Sequence, residues 1–145
     1  MALEAIFHSI KLSKMQYFPT RNIHVLSSKR VNMAFCPLDY RYGCQEFKEI
    51  WSELGRHQRQ LEVERALVWA HKEMGKVSAE DYAKVAEIAV PSVVTKERVS
   101  EIEAETRHDI MALTKAMAEA AGEAGWCIHL GATSNDIVDT AVGLQ

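Results

Sequence analysis

Oxidative cross-linking is not what holds this chain together. Its 145 residues contain three cysteines, Cys36, Cys44 and Cys127, an odd number too scattered for CxxC metal-binding pairs and unlike a disulfide framework. That usage suits a reducing, cytoplasmic setting. No apolar run approaches the roughly 18 residues a membrane span needs, so no membrane partner is expected. A net charge of −3 gives no reason to expect nucleic-acid binding, which usually shows as a basic patch. Internal repeats and low-complexity tracts are missing as well. So is the material for a β-sheet, since Trp126-Cys127-Ile128-His129-Leu130 is too short and too isolated to support one. What remains is 48% hydrophobic and 26% charged, the composition of a globular protein long enough for one domain with a real core.

Residues 1–32 differ from the rest. Lys11, Lys14, Arg21, Lys29 and Arg30 stand against the single acid Glu4, so the segment carries +4 and the chain's −3 leaves −7 on the other 113 residues. A basic, serine-containing, acid-poor start is what a transit peptide looks like. A secretory signal is a poorer fit, because Glu4 and His8 interrupt the only apolar stretch. The favoured expectation is that Met33 is the natural start and that residues 1–32 form a poorly ordered extension upstream of it.

Helical spacing dominates from Gln45 onward. Phe47, Ile50, Trp51, Leu54, Leu61, Val63, Leu67 and Trp69 fall mainly on one broad face of a helix expected over Gln45–Met74. Gly55 marks a bend or merely costs stability, and Gly75 is a plausible stop. Ser78 with Asp81 makes a capping pattern that opens a second helix, Ala79–Ala89, ended by Pro91. Thr95 caps a third, Lys96–Glu105, with Val99 and Ile102 inward. A fourth runs from Asp109 to Ala121 with Ile110, Leu113, Ala116, Met117 and Ala120 as its buried stripe, and Gly122 and Gly125 end it. The methionines and tryptophans at helical spacing are expected in the core. The fold class is all-α.

The stretch around which the chain is organised is GATSNDIVDT, Gly131 to Thr140. Thr133 and Asp136 form the T-x-x-D pattern of a capping box, after which Ile137, Val138, Ala141, Val142 and Leu144 continue an apolar helix. On its own such a pattern is also an ordinary helix start. It leaves backbone N–H groups free at Ser134 and Asn135, at the positive end of the helix dipole. With the Thr133 and Ser134 hydroxyls and the Asn135 amide beside them, these donors suit a carboxylate. Arg107-His108-Asp109 lies at the junction of the third and fourth helices. A histidine between a cation and a carboxylate can be held in one tautomer and donate to an anion, although Asp109 could equally be the plain cap of the fourth helix. Arg41, between Tyr40 and Tyr42, could clamp a phosphate or simply stack on an aromatic ring. His129 reads as a solvated loop residue, and His8, His24, His57 and His71 as ordinary polar residues.

The block TSNDIVDTA, with TRHDIMAL (106–113), LEVERAL (61–67) and YRYG (40–43) in the same order before it, resembles the fumarase/aspartase superfamily. Members of that superfamily release fumarate by breaking a C–N or C–O bond. Within it the resemblance is greatest to the adenylosuccinate lyase family, with argininosuccinate lyases and fumarases as the next candidates; a non-catalytic helical interaction module, recruiting a partner through an exposed Ile137–Leu144 stripe, is the alternative of another class.

The resemblance implies an all-α N-terminal helical domain, residues 33–130, followed at 131–145 by the signature loop and the first turns of a central bundle helix. It implies that Arg41 and Tyr42 contact the phosphate of a nucleotide substrate, and that Arg107, His108, Asp109, Thr133 and Ser134 bind that substrate. His129, Asn135 and Asp136 are weaker members of the same set. No metal or organic cofactor is implied. By the same resemblance the general acid histidine and the base serine belong to segments beyond the signature, and the parent enzyme is a homotetramer with sites shared between subunits. The expectation is therefore an N-terminal portion of such a lyase, inactive alone.

Overall fold

The computed structural model describes residues 43–145, and all regular structure among them is helical. Six α-helices follow one another: α1 Gln45–Ile50, α2 Glu53–Glu73, α3 Ala79–Ile88, α4 Lys96–Thr106, α5 Asp109–Ala121 and α6 Ser134–Leu144. A 3-10 helix, Gly122–Cys127, follows α5 directly. The expected extension at 1–32 and the expected phosphate contacts Arg41 and Tyr42 lie outside the described residues.

The long first helix of the sequence reading is two helices. Ser52, extended at φ −71° and ψ 160°, breaks it. Its hydroxyl donates to the Glu49 carbonyl at 2.7 Å and accepts the Gly55 N–H at 2.9 Å, so one side chain serves both the end of α1 and the start of α2. Gly55 is required by close approach rather than by flexibility. A Cβ there would sit 2.4 Å from the Glu49 carbonyl oxygen and 2.5 Å from that of Ile50. The apolar residues on either side of the break do not face inward as expected: Phe47, Trp51 and Leu54 are more than half exposed. Trp126, Met74 and Met111 are also exposed, so among these large side chains Met117 is the one that enters the core.

Downstream, the caps set the boundaries. Gly75 ends α2 in a Schellman motif, with Lys76 N–H bonded to the His71 carbonyl and Gly75 N–H to that of Lys72, both at 2.9 Å. Ser78 and Thr95 accept the Asp81 and Arg98 N–H groups at the starts of α3 and α4. Observed α3 and α4 differ from expectation by one residue each at the C-terminus. In α5 the inward stripe is Ile110, Leu113, Ala116 and Met117 as read, joined by Ala112 and Ala121; Ala120 is exposed. Exposed charges add a strap. The Arg98 guanidinium on α4 makes two parallel bonds to Glu119 on α5, at 2.9 and 3.0 Å, and a third to Glu101 at 2.8 Å.

The central element is α2. From Leu61 to His71 it buries most of its circumference, packing against α3 and α6. α6 lays Ile137 and Ala141 on it, both essentially inaccessible, so the stripe expected to be free for a partner is largely covered. Leu61, Val68, Val85, Ile110, Leu113 and Ile137 form the heart of the core. No helix among the described residues is long and apolar enough to cross a membrane. The packing brings the start of α5 and the start of α6 together, His108 beside Ser134.

Candidate functional site

Arg107 ends α4 in the left-handed conformation, φ 52° and ψ 34°, with its N–H on the Glu103 carbonyl at 2.7 Å. This sharp reversal swings the chain so that the next residue, His108, becomes the N-cap of α5. The cap is therefore His108 and not Asp109. The His108 Nδ1 accepts the Met111 N–H at 3.3 Å, while Asp109, the first helical residue, accepts the Ile110 N–H at 2.8 Å. An Nδ1 that accepts leaves the proton of the neutral ring on Nε2. That nitrogen lies 3.4 Å from Ser134 Oγ, close enough to donate. Asp109 Oδ1 stands 3.6 Å from Nδ1, beyond hydrogen-bond range. Two positions 26 apart in sequence, one at the start of α5 and one at the start of α6, thus meet through their side chains.

The α6 start has the capping box read from the sequence: Asp136 Oδ2 accepts the Thr133 N–H at 2.9 Å. This turns the Asp136 carboxylate back onto the cap residue. The N–H groups of the first helical turn, at Ser134 and Asn135, have no intrahelical partner by construction. Arg107, His108, Asp109, Thr133, Asn135 and Asp136 are exposed, and Ser134 is half-buried. The site is an open face, with one imidazole donor, one hydroxyl and a helix N-terminus converging.

His129 departs furthest from its reading as a solvated residue. Its ring lies on Glu64 of α2, Nδ1 to Oε1 2.7 Å, and the Glu64 side chain is completely buried. The carboxylate bond pushes the imidazole pKa up, against the opposing effect of partial burial, with Asp136 adding to the rise. His57 and His71, taken as ordinary polar residues, are buried too. His57 Nε2 lies 2.7 Å from the Val94 carbonyl, and burial, only partly offset by that bond, lowers its pKa. His71 Nε2 lies 2.7 Å from the Leu130 carbonyl. His8 and His24 lie outside the described residues. Glu64 was missed altogether, although its place between Leu61 and Val68 on the inward stripe is visible in the sequence.

Three curated proteins set this arrangement in context. The chain is 51% identical to the adenylosuccinate lyase of Pyrococcus horikoshii over 112 residues, 77% of this chain and 25% of that protein. It is 55% identical to the adenylosuccinate lyase of Archaeoglobus fulgidus over 109 residues, 75% of this chain and 24% of that one. The likeness is to adenylosuccinate lyase. It reaches across to bacteria, with 43% identity over 103 residues to the adenylosuccinate lyase of Streptococcus mutans, 71% of this chain and 23% of its relative. The chain thus spans about a quarter of the length of the adenylosuccinate lyases it matches. No protein-family model matches it.

Proposed function

We propose that this chain is the substrate-gripping part of an adenylosuccinate lyase, an enzyme that eliminates fumarate from adenylosuccinate to leave AMP, and from the matching succinyl-carboxamide intermediate of purine synthesis. The observation that carries the reading is the meeting of His108 Nε2 and Ser134 Oγ at 3.4 Å over the N-terminus of α6. A succinyl group carries two carboxylates. One of them can be received by the Ser134 and Asn135 amides, the Ser134 hydroxyl and the His108 Nε2–H, all donors arranged before the ligand arrives. Because His108 Nδ1 accepts a helix N–H, the neutral ring presents its Nε2–H as a fixed donor. Arg41 and Tyr42 would take the phosphate at the other end of the substrate, and Arg107 would add positive charge beside His108.

β-Elimination also needs a base for the proton next to a carboxylate and an acid for the departing nitrogen. Those roles are assigned to segments other than the one in hand, with the working site completed by neighbouring subunits of a cytoplasmic tetramer. Neither a metal nor an organic cofactor enters the scheme.

The test is a chimera in which the matched residues of this chain replace their counterparts in the Archaeoglobus fulgidus enzyme, assayed for fumarate release from adenylosuccinate, argininosuccinate and malate. Release from adenylosuccinate alone is expected. A folded chimera that is inactive on it, or that prefers argininosuccinate or malate, overturns the reading.

A further inference from the structure

The loop that delivers the chain into α6 is held from underneath by α2. Its residues form a tight turn, with the Ala132 N–H on the His129 carbonyl at 3.4 Å and Gly131 in the third position at φ 71°, where the absence of a Cβ is required. His129 itself is left-handed, φ 61°, a conformation a non-glycine residue keeps only when its surroundings impose it. Two side chains from α2, two turns apart on its inward stripe, supply the imposition. Glu64, fully buried, accepts a hydrogen bond from His129 Nδ1 at 2.7 Å, and His71, also buried, places Nε2 2.7 Å from the Leu130 carbonyl. Consecutive loop residues are therefore caught, one by its side chain and the next by its backbone.

We propose that Glu64 is a positioning residue for the anion-receiving start of α6, acting through His129 and seconded by His71. The inference rests on the proposed function for what the loop serves, but the latch itself rests on the contacts alone. A glutamate at the centre of a core helix, flanked by Leu61 and Val68, is costly unless something uses it. Its second oxygen finds no hydrogen-bond partner among the described residues, so the carboxylate is committed to His129 through one bond. That bond fixes both the ring orientation and the tautomer, since an ionised carboxylate only accepts and Nδ1 must carry the proton. The charged groups facing His129 are Glu64 from α2 and Asp136 from α6, and both favour the imidazolium. The residue at the head of the loop is thus an imidazole aimed by α2, four positions before the Thr133 cap.

The experiment uses the full chain, compared with Glu64→Gln and Glu64→Asp by NMR. In the unmodified chain the His129 Nδ1 proton should be visible and slow to exchange. In Glu64→Gln it should be lost, and amide exchange at Ala132 to Asn135 should quicken by roughly tenfold while amides of α3 stay as they were. Unchanged exchange in that loop overturns the proposal. Should Glu64→Gln fail to fold, a freely exchanging Nδ1 proton in the unmodified chain overturns it alone. Fumarate titrated against the Ser134 and Asn135 amides gives the second reading. Affinity should drop several-fold in Glu64→Gln and recover in part in Glu64→Asp, which keeps the charge. A purely structural carboxylate would lower the melting temperature and leave the folded protein's fumarate affinity untouched, and equal affinities overturn the positioning role. If the unmodified chain does not bind fumarate at all, the anion-site reading of α6 falls while the exchange arm still decides the role of Glu64.

Discussion

Holding a histidine at φ 61° costs on the order of 1–3 kcal/mol, and at His129 that cost is met by a buried carboxylate. Among the described residues His57 and His129 have pKa values moved in opposite directions, and the signs separate them. His129 is raised by Glu64, so its contribution is fully present below the ordinary histidine pKa of about 6.5 and is lost as pH climbs through the raised value. His57 is lowered by burial, so its contribution is present above about 6.5 and is lost as pH falls through the depressed value. Thermal unfolding across pH should therefore show an alkaline limb that flattens in Glu64→Gln and an acid limb that flattens in His57→Gln. The same variant flattening both limbs would contradict the assignment. The position of Glu64 on the inward stripe of α2 is visible in the sequence, but the partners of Glu64, His57 and His129 are not. Periodicity sorts residues by polarity, and a histidine or glutamate whose hydrogen bond is made by a distant backbone carbonyl or loop looks identical to one facing water.

Helix ends were the most legible level. Ser78, Thr95 and Thr133 each precede a helix at the expected position because a short hydroxyl side chain satisfies an amide that the helix cannot. The same physics explains the main error. Ser52 is an equally good cap, but it sits inside a run of apolar residues at helical spacing, and the run was read through it. Removing the hydroxyl by Ser52→Ala should cost about 0.5–2 kcal/mol of α2 stability, measured by urea denaturation, and should release α1, which buries no residue of its own. Leu61→Ala, at the most enclosed part of α2, should cost more, about 2–5 kcal/mol. If Ser52→Ala were the more damaging of the two, α1 would have to contribute packing that its exposure does not suggest.

At the scale of the molecule, the helices pack so as to bring together residues that the sequence leaves 26 or 65 positions apart, His108 with Ser134 and Glu64 with His129. The all-α class and the position of the α6 capping box followed from pattern and local chemistry. The pairing of His108 with Ser134 did not, because it depends on how α5 packs against α6. Under the proposed function the proton-transfer roles fall to other segments, and the 145-residue polypeptide alone is then expected to release no fumarate from adenylosuccinate. Fumarate production that disappears in a Ser134→Ala control would contradict that division of labour.

The central claim is that the chain grips two ends of one substrate by two kinds of contact, and steady-state kinetics of the chimera tests it most directly. Arg41→Ala should mainly raise KM for adenylosuccinate, since a phosphate contact is made equally before and during the reaction. Ser134→Ala should mainly depress kcat. Charge accumulates on the succinyl end as its proton leaves, and losing one aimed donor costs about 2.7–4 kcal/mol, roughly a hundred- to a thousand-fold in rate. A chimera in which Arg41→Ala abolishes kcat with KM unchanged, while Ser134→Ala raises KM alone, would contradict the assignment of the two anion sites.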